Sequence, residues 1–536
     1  MSFFPDNCSA GYLLEEARSI IDRNIAGLED RVRALKSRRN ELSPISRLPV
    51  EILCNIFFLI DDNYGYPSLH PDPWTNFSRV SQHWRSSALS APELWANIPL
   101  NHSRWAQEML IRSKMAKLTI RPRYLFERSS IETFRSCLYE MNRVEEISII
   151  VSGWTWEDIF HGLPPKSAPQ LHTLSFQNYL TTTFSIPEDF LYDTDLLRHV
   201  ELIDCKISWD SRLLTGLTHL SLIESLKANS SINQFLHALQ RMPALTNLRL
   251  IDSIPDDTEG PSTYHPVVDL PCLRALTISS VIGALTPALR HITFPHSAIL
   301  YLTCKENQST QIDFSDLFSA LVTKFLSSLV IRSLSLEILL PQGLKFSLWT
   351  QDWFFPVQPQ LQLHLIWPSL HYIRVLTSAF DAMNLPFLTE LHISTENYID
   401  SQTWVKTFGK LPILERVYAR GNSTHSFLEA LVYKSKTAEK SKTAYHDVSF
   451  PKLRYIHLID TSFFEATSVD MLLDYLMERC ERNAEVHALH LVECSYISSD
   501  DVERLKEIVV DVIWDGKCDE PSEEDRTQDS DGSDHL

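Results

Sequence analysis

"PALTNLRL", residues 243–250, sets leucines at 245, 248 and 250 behind a proline. Its last three residues alternate apolar, polar, apolar, the period of a strand buried on one face. The arrangement returns as "PQLHTLSF" (169–176), "PCLRALTI" (271–278), "PSLHYIRV" (368–375), "PFLTELHI" (386–393) and "PKLRYIHL" (451–458). Weaker copies keep only the apolar pair two residues apart: Leu118/Ile120, Ile147/Ile149, Val200/Leu202, Leu220/Leu222, Leu334/Leu336 and Leu489/Leu491.

Between copies lie segments such as "SINQFLHALQRM" (231–242) and "SVDMLLDYLMERC" (468–480), with apolar residues at helical spacing. A strand alternating with a helix every ~20 to 30 residues is the signature of a leucine-rich-repeat solenoid, here a divergent one because the spacing is irregular. In the standard repeat an Asn three residues past the strand leucine satisfies backbone groups at the turn. Cys205, Ser225, Ser253, Thr461 and Cys494 hold that position, so these small side chains are expected to bond backbone, and the two cysteines to be structural thiols rather than nucleophiles.

Because strand side chains alternate faces, the residue between the two leucines should face away from the core. That singles out Glu201, Arg249, Arg374, His392, Tyr418, His457 and His490, with His199, His219 and Arg416 two positions earlier. Of these, Arg249, Arg374, His392, Arg416, Tyr418, His457 and His490 are the candidate target-binding residues, and a plain solvated polar face is the competing reading. The histidines come from distant repeats and lack short ligand spacing, so no metal site is expected.

Two inserts interrupt the array. Residues 344–367, rich in aromatics, add strands or expose a recognition element; 434–444, "KSKTAEKSKTA", is a small tandem duplication expected to form a basic loop. The stretch after Asp515 is acidic and nearly free of apolar residues, which predicts a disordered tail.

At 536 residues the chain exceeds what one core usually organises, so about two to four domains or one repeat array is expected. Apolar content of 44% and charged content of 22% are ordinary for a folded protein. A net charge of -19 argues against a nucleic-acid partner. No stretch reads as a signal peptide or a membrane span, and nine scattered cysteines without CxxC spacing indicate neither a disulfide framework nor zinc; a cytoplasmic or nuclear protein is expected.

Near the beginning, Leu14, Ile21, Leu28, Leu35 and Leu42 recur every seven residues, with Ile25 and Val32 four after Ile21 and Leu28. This heptad seam predicts a helix from about Leu13 to Leu42, ended by Pro44. Two readings stand: a coiled coil that joins two copies, or a single amphipathic helix laid against the next domain.

"ISRLPVEILCNIFFLIDD" (45–62) then places Pro49 and Glu51 in the first turn of a second helix, where a missing N–H and a negative charge are both favourable. Ile52, Leu53, Ile56, Phe57 and Ile60 make an apolar face wide enough for two neighbours. After a turn-rich insert, Phe77, Val80, Trp84 and Ala88 share one helical face, Pro92 stops that helix, and Leu94 and Trp95 follow.

These residues resemble the F-box, closest to the F-box-like domains of the large fungal families: the Leu48-Pro49 entry with Glu51, Ile52, Leu53, Ile56 and Phe57, then Val80, Trp84-Arg85, Ala88, Pro92 and Leu94-Trp95. Ser81 stands where many members have Cys, and the insert between the helices is long. The resemblance implies a three-helix domain that docks a Skp-type adaptor, itself linked to a cullin in an SCF ubiquitin ligase. Leu48, Pro49, Ile52, Leu53, Ile56 and Phe57 would bind the adaptor, shared between its groove and the domain's own core, and Val80, Trp84, Ala88, Leu94 and Trp95 would form the rest of that core.

The expected architecture is therefore an α/β solenoid with an N-terminal helix (1–43), an F-box-like domain (44–100), a divergent leucine-rich-repeat array (101–510) and an acidic tail (511–536). No GxGxxG, P-loop, HExxH or GxSxG is present, so neither intrinsic catalysis nor a cofactor is expected. The function expected is that of a non-catalytic receptor holding a target protein; a scaffold without ubiquitylation and an enzyme with an unrecognised site are the alternatives.

Overall fold

A computed structural model of the chain describes residues 7–63, 77–100, 103–121, 124–125, 128–151, 159–160, 162–179, 184–225, 230–255, 265–306, 314–339, 343–352, 358–367, 372–432, 448–464 and 468–517. The basic segment 434–444 and residues 518–536 of the tail lie outside them. The chain divides into two compact units, Met1–Thr182 with Asp189–Leu197, and Thr183–Glu188 with Arg198–Leu536.

The first unit opens with the long helix α1 (Asn7–Glu41), which starts earlier than Leu13. Its seam is uncovered: Leu14, Leu28 and Leu35 are 72%, 60% and 69% exposed. Helix α2 (Val50–Asn63) follows the Leu48-Pro49 step, and α3 (Gln82–Ser90) packs beside it. Phe77, Val80, Trp84 and Ala88 do not share one continuous helix. The chain breaks at Ser81, which is extended (φ -156°, ψ 165°) and caps α3 by accepting the Trp84 N–H at 3.1 Å. A capping hydroxyl satisfies a donor the first turn leaves orphaned, which explains a helix start inside an apparently helical pattern. Helix α4 (Ser103–Arg112), strand β1 (Leu118–Ile120), helix α5 (Arg128–Leu138) and strands β2 (Val144–Val151) and β3 (Thr173–Asn178) follow, with β2 paired in parallel to β1 and to β3.

The second unit alternates strands and helices around one sheet. Its strands are β4 (His199–Ile203), β5 (His219–Ile223), β6 (Asn247–Ile251), β7 (Ala275–Val281), β8 (Ile299–Lys305), β9 (Ser333–Leu339), β10 (Gly343–Trp349), β11 (Leu361–Ile366), β12 (Glu390–Thr395), β13 (Arg416–Gly421), β14 (Tyr455–Ile459), β15 (Ala488–Val492) and β16 (Asp511–Trp514). Strands β4 to β8 pair in parallel in chain order, as do β12 to β16. Between these blocks β8 pairs in parallel with β11, β11 and β9 flank β10 antiparallel, and β9 pairs in parallel with β12. The 344–367 insert thus adds strands to the sheet; Phe346, Leu348, Leu363 and Trp367 are buried.

The leucine pattern builds this sheet residue by residue. Leu248 and Leu250 are buried while Arg249 between them is exposed, and each such leucine contributes about 1.5–3 kcal/mol by leaving water. The opposite side is covered by helices including α6 (Ile232–Gln240), α7 (Ile282–His291), α8 (Ser315–Lys324), α9 (Tyr372–Met383) and α10 (Val469–Glu481). Ser231 and Gln234 form a capping box on α6, and Ser468 caps α10. One expected strand is absent. The copy at 368–375 runs into α9, whose buried Val375, Leu376, Ala379, Phe380 and Met383 follow helical spacing.

The turn after each strand behaves as the small side chains predict. The Ser225 hydroxyl lies 3.0 Å from the Leu202 carbonyl and 2.8 Å from that of Ile223; Ser253 reaches Ile251 at 2.8 Å, and the Cys494 thiol reaches Leu458 and Val492 at 3.6 and 3.5 Å. Before each stands an acidic residue in the left-handed region: Asp204, Glu224, Asp252, Asp460 and Glu493, with φ of 48°, 50°, 48°, 54° and 54°. Asp visits that region more readily than most side chains.

Candidate binding surfaces

In the first unit, α2 presents two faces. Leu53 and Phe57 are fully buried, Cys54 is buried with its thiol donating toward the Ser87 carbonyl at 3.8 Å, and the Trp84 ring lies 5.3 Å from Phe57. Burial first, then the charges of Glu51 and Glu93, push the Cys54 thiol up, so it stays protonated. Trp95, also buried, donates its indole N–H to the Ala88 carbonyl at 2.8 Å, and the Arg112 guanidinium lies 4.4 Å from the Trp95 ring centroid. Trp84 and Leu94 are half-buried and Ala88 is buried. Val80 is 54% exposed, so it does not belong to the core assigned from sequence; the break at Ser81 turns it outward.

The other face of α2 is apolar and open. Ile52 is 45% and Leu59 62% exposed, one on each side of half-buried Ile56, while Ile45 and Pro49 are exposed and Leu48 is half-buried at the helix entry. Spacing of four and three residues puts Ile52, Ile56 and Leu59 on one stripe. Leu53 and Phe57, expected to be shared between the domain core and the adaptor groove, lie wholly in the core. Ile45 and Leu59 were missed; the same i, i+7 relation to Ile52 would have exposed Leu59 as a member of the stripe.

In the second unit, parallel register aligns the open-face residues into rows. Glu201, Ser221, Arg249, Thr277 and Tyr301 run across β4 to β8, and Ser335, His392, Tyr418, His457 and His490 across β9 and β12 to β15. His199 and His219 stack at 5.4 Å one row away. His392 and Tyr418 stack at 4.0 Å and 7°, Tyr418 and His457 lie 5.3 Å apart, and His457 and His490 5.4 Å, making a ladder of four rings. Burial, then the neighbouring His457, pulls the His392 imidazole down to about 3; burial and His490 lower His457 likewise. His392 and His457 are therefore held in their neutral forms at physiological pH.

Beside it, Arg416 pairs with the buried carboxylate of Glu390, which also accepts the Ser333 hydroxyl at 3.0 Å. A shallow depression of about 470 Å³ is lined by Ser335, Glu337, His392, Glu396, Tyr418 and Arg420, among others. Glu337, Glu390 and Arg420 carry no leucine-pattern signal of their own; the strand residue two places before or after each ladder position would have named them. Arg374 is not on this face, since it lies in α9, where it is exposed. Among the described residues no group of three His, Cys, Asp or Glu could hold a metal ion, and no helix is long and apolar enough to cross a membrane.

No family model matches the chain, and no curated protein does. Among solved structures it is similar to one described as the Rad7 and Elc1 complex in yeast, at 11% identity, covering 78% of this chain and 94% of that chain, with a TM-score of 0.22. At that TM-score the likeness carries no argument.

Proposed function

We propose that the chain is the non-catalytic target-recognition subunit of an SCF-type ubiquitin ligase, acting in the cytoplasm or nucleus. The outward stripe of α2 docks a Skp-type adaptor, which links it to a cullin, and the ring ladder and its flanking charges hold a target protein. The observation that carries this reading is the apolar stripe Ile52, Ile56 and Leu59 left open directly behind the Leu48-Pro49 entry, on a helix whose opposite face already fills its own core. Helix-in-groove recognition uses anchors at that spacing, and each such anchor is worth about 2 kcal/mol or more. Such a subunit acts through proximity, by holding its target near the charged enzyme.

Ile52→Asp with Leu59→Asp changes exposed side chains and leaves the core intact. Purified full-length chain should bind a recombinant Skp-type adaptor and, through it, a cullin, and the double variant should lose at least about 30-fold in affinity. Wild-type binding unchanged by the variant would overturn the docking assignment. Adaptor binding without cullin recruitment would point to the scaffold.

A further inference from the structure

We propose that α1 pairs with a second copy of itself as an antiparallel two-stranded coiled coil. The inference stands apart from the adaptor reading, which concerns α2.

A helix in a protein draws most of its stability from packing, yet the seam of α1 is open from Leu14 to Leu35. Its period is seven residues. A strict 3.5-residue repeat fits another helix wound around it, whereas a globular surface asks for a wider 3.6-residue stripe. The next longest described helix, α2, has 14 residues against 35 in α1, so among the described residues a second copy supplies the matching length and period.

Charge decides the direction. Leu14, Ile21, Leu28, Leu35 and Leu42 take one seam position of the heptad, and Arg18, Ile25, Val32 and Arg39 the other. A parallel pair in register sets Arg18 and Arg39 each against its own copy and Arg31 beside the partner's Lys36. It forms no attractive pair across the flanks. An antiparallel pair sets Ile25 against the partner's Leu28 and Val32 against the partner's Ile21. Arg18 then lies over the partner's Leu35 and Arg39 over the partner's Leu14, where aliphatic stems cover the leucines and the guanidinium groups reach water. On the flanks Glu15 meets the partner's Lys36 at both ends, and Asp22 lies beside the partner's Glu29, also twice, as the opposed contact; the parallel pair has only opposed ones. The halves are complementary as wholes. Residues 14–27 carry Glu15, Glu16 and Asp22 against Arg18 and Arg23, while 28–41 carry Arg31, Arg33, Lys36, Arg38 and Arg39 against Glu29, Asp30 and Glu41.

Light scattering on full-length protein should give twice the chain mass of 61.7 kDa at micromolar concentration. Ile25→Glu with Leu28→Glu should return it to one chain mass while circular dichroism shows the folded units retained. A wild-type mass of one chain, or a dimer untouched by the double variant, overturns the proposal. For direction, a Leu14→Cys chain is mixed under oxidising conditions with a differently tagged Arg39→Cys chain, the wild type setting the background of native thiols. Cross-linking only between the two different variants supports the antiparallel pair. Cross-linking of each variant with itself overturns it.

Discussion

Arg479 is fully buried, and its guanidinium donates to the carbonyls of Ala484, Leu431, Ser449 and Phe450 at 2.9–3.3 Å. Burial, then the nearby Arg482, lowers it to about 10, so it stays charged at neutral pH. Arg479→Leu strands those carbonyls, and urea unfolding should show a loss of at least about 3 kcal/mol, with Arg479→Lys recovering only part because an ammonium cannot span the four acceptors. The ring ladder gives a second expectation. His392 binds its proton near pH 3 folded and near 6.5 unfolded, so its contribution is fully present above pH 6.5 and is lost as pH falls toward 3, at up to about 1.4 kcal/mol per pH unit. Melting temperature should fall between pH 7 and pH 5, and His392→Gln should flatten that fall; an unchanged slope would remove His392 as the cause. The ladder was legible because alternation names the residue between two leucines. Arg479 was not, since an arginine in an amphipathic helix reads as solvated until the loops around it are placed.

Element by element, strands and helix caps were the most readable features and helix continuity the least. Ser231 and Ser468 announced their helices, whereas Ser81 sat inside an apolar period that ran through it and hid both the break and the outward turn of Val80. Ser81→Ala should cost about 1 kcal/mol in thermal or urea unfolding, chiefly by fraying α3, since only the capping bond is removed. The copy at 368–375 failed for a related reason: its leucine pattern fits both periods over eight residues, and only the continuation to Phe380 and Met383 decides for a helix. On α2 the apolar face was legible, but its division into Leu53 and Phe57 inside and Ile52 and Leu59 outside was not. That division depends on where α3 packs.

At the scale of the molecule, a repeat array derives its stability from each repeat and its neighbours. In the second unit β9, β10 and β11 form the bridge between the block β4 to β8 and the block β12 to β16, and Phe346 is buried within that bridge. Phe346→Ala should cost about 3–5 kcal/mol, and hydrogen exchange should show protection falling in β8 and β12 together while β4 and β16 keep theirs. Loss confined to β10 would show that the blocks do not depend on it. The alternation of strand and helix was legible from the leucines; the reversal was not, because "LKFSLW" and "LQLHLI" reveal two strands but not whom they pair with. That reversal also orders events on the ribosome. Strand β8 is made before β9, yet its neighbour in the sheet is β11, the last of the three to emerge. Throughout that interval the growing chain carries an unpaired strand edge, the feature through which unfinished sheets mispair with other chains.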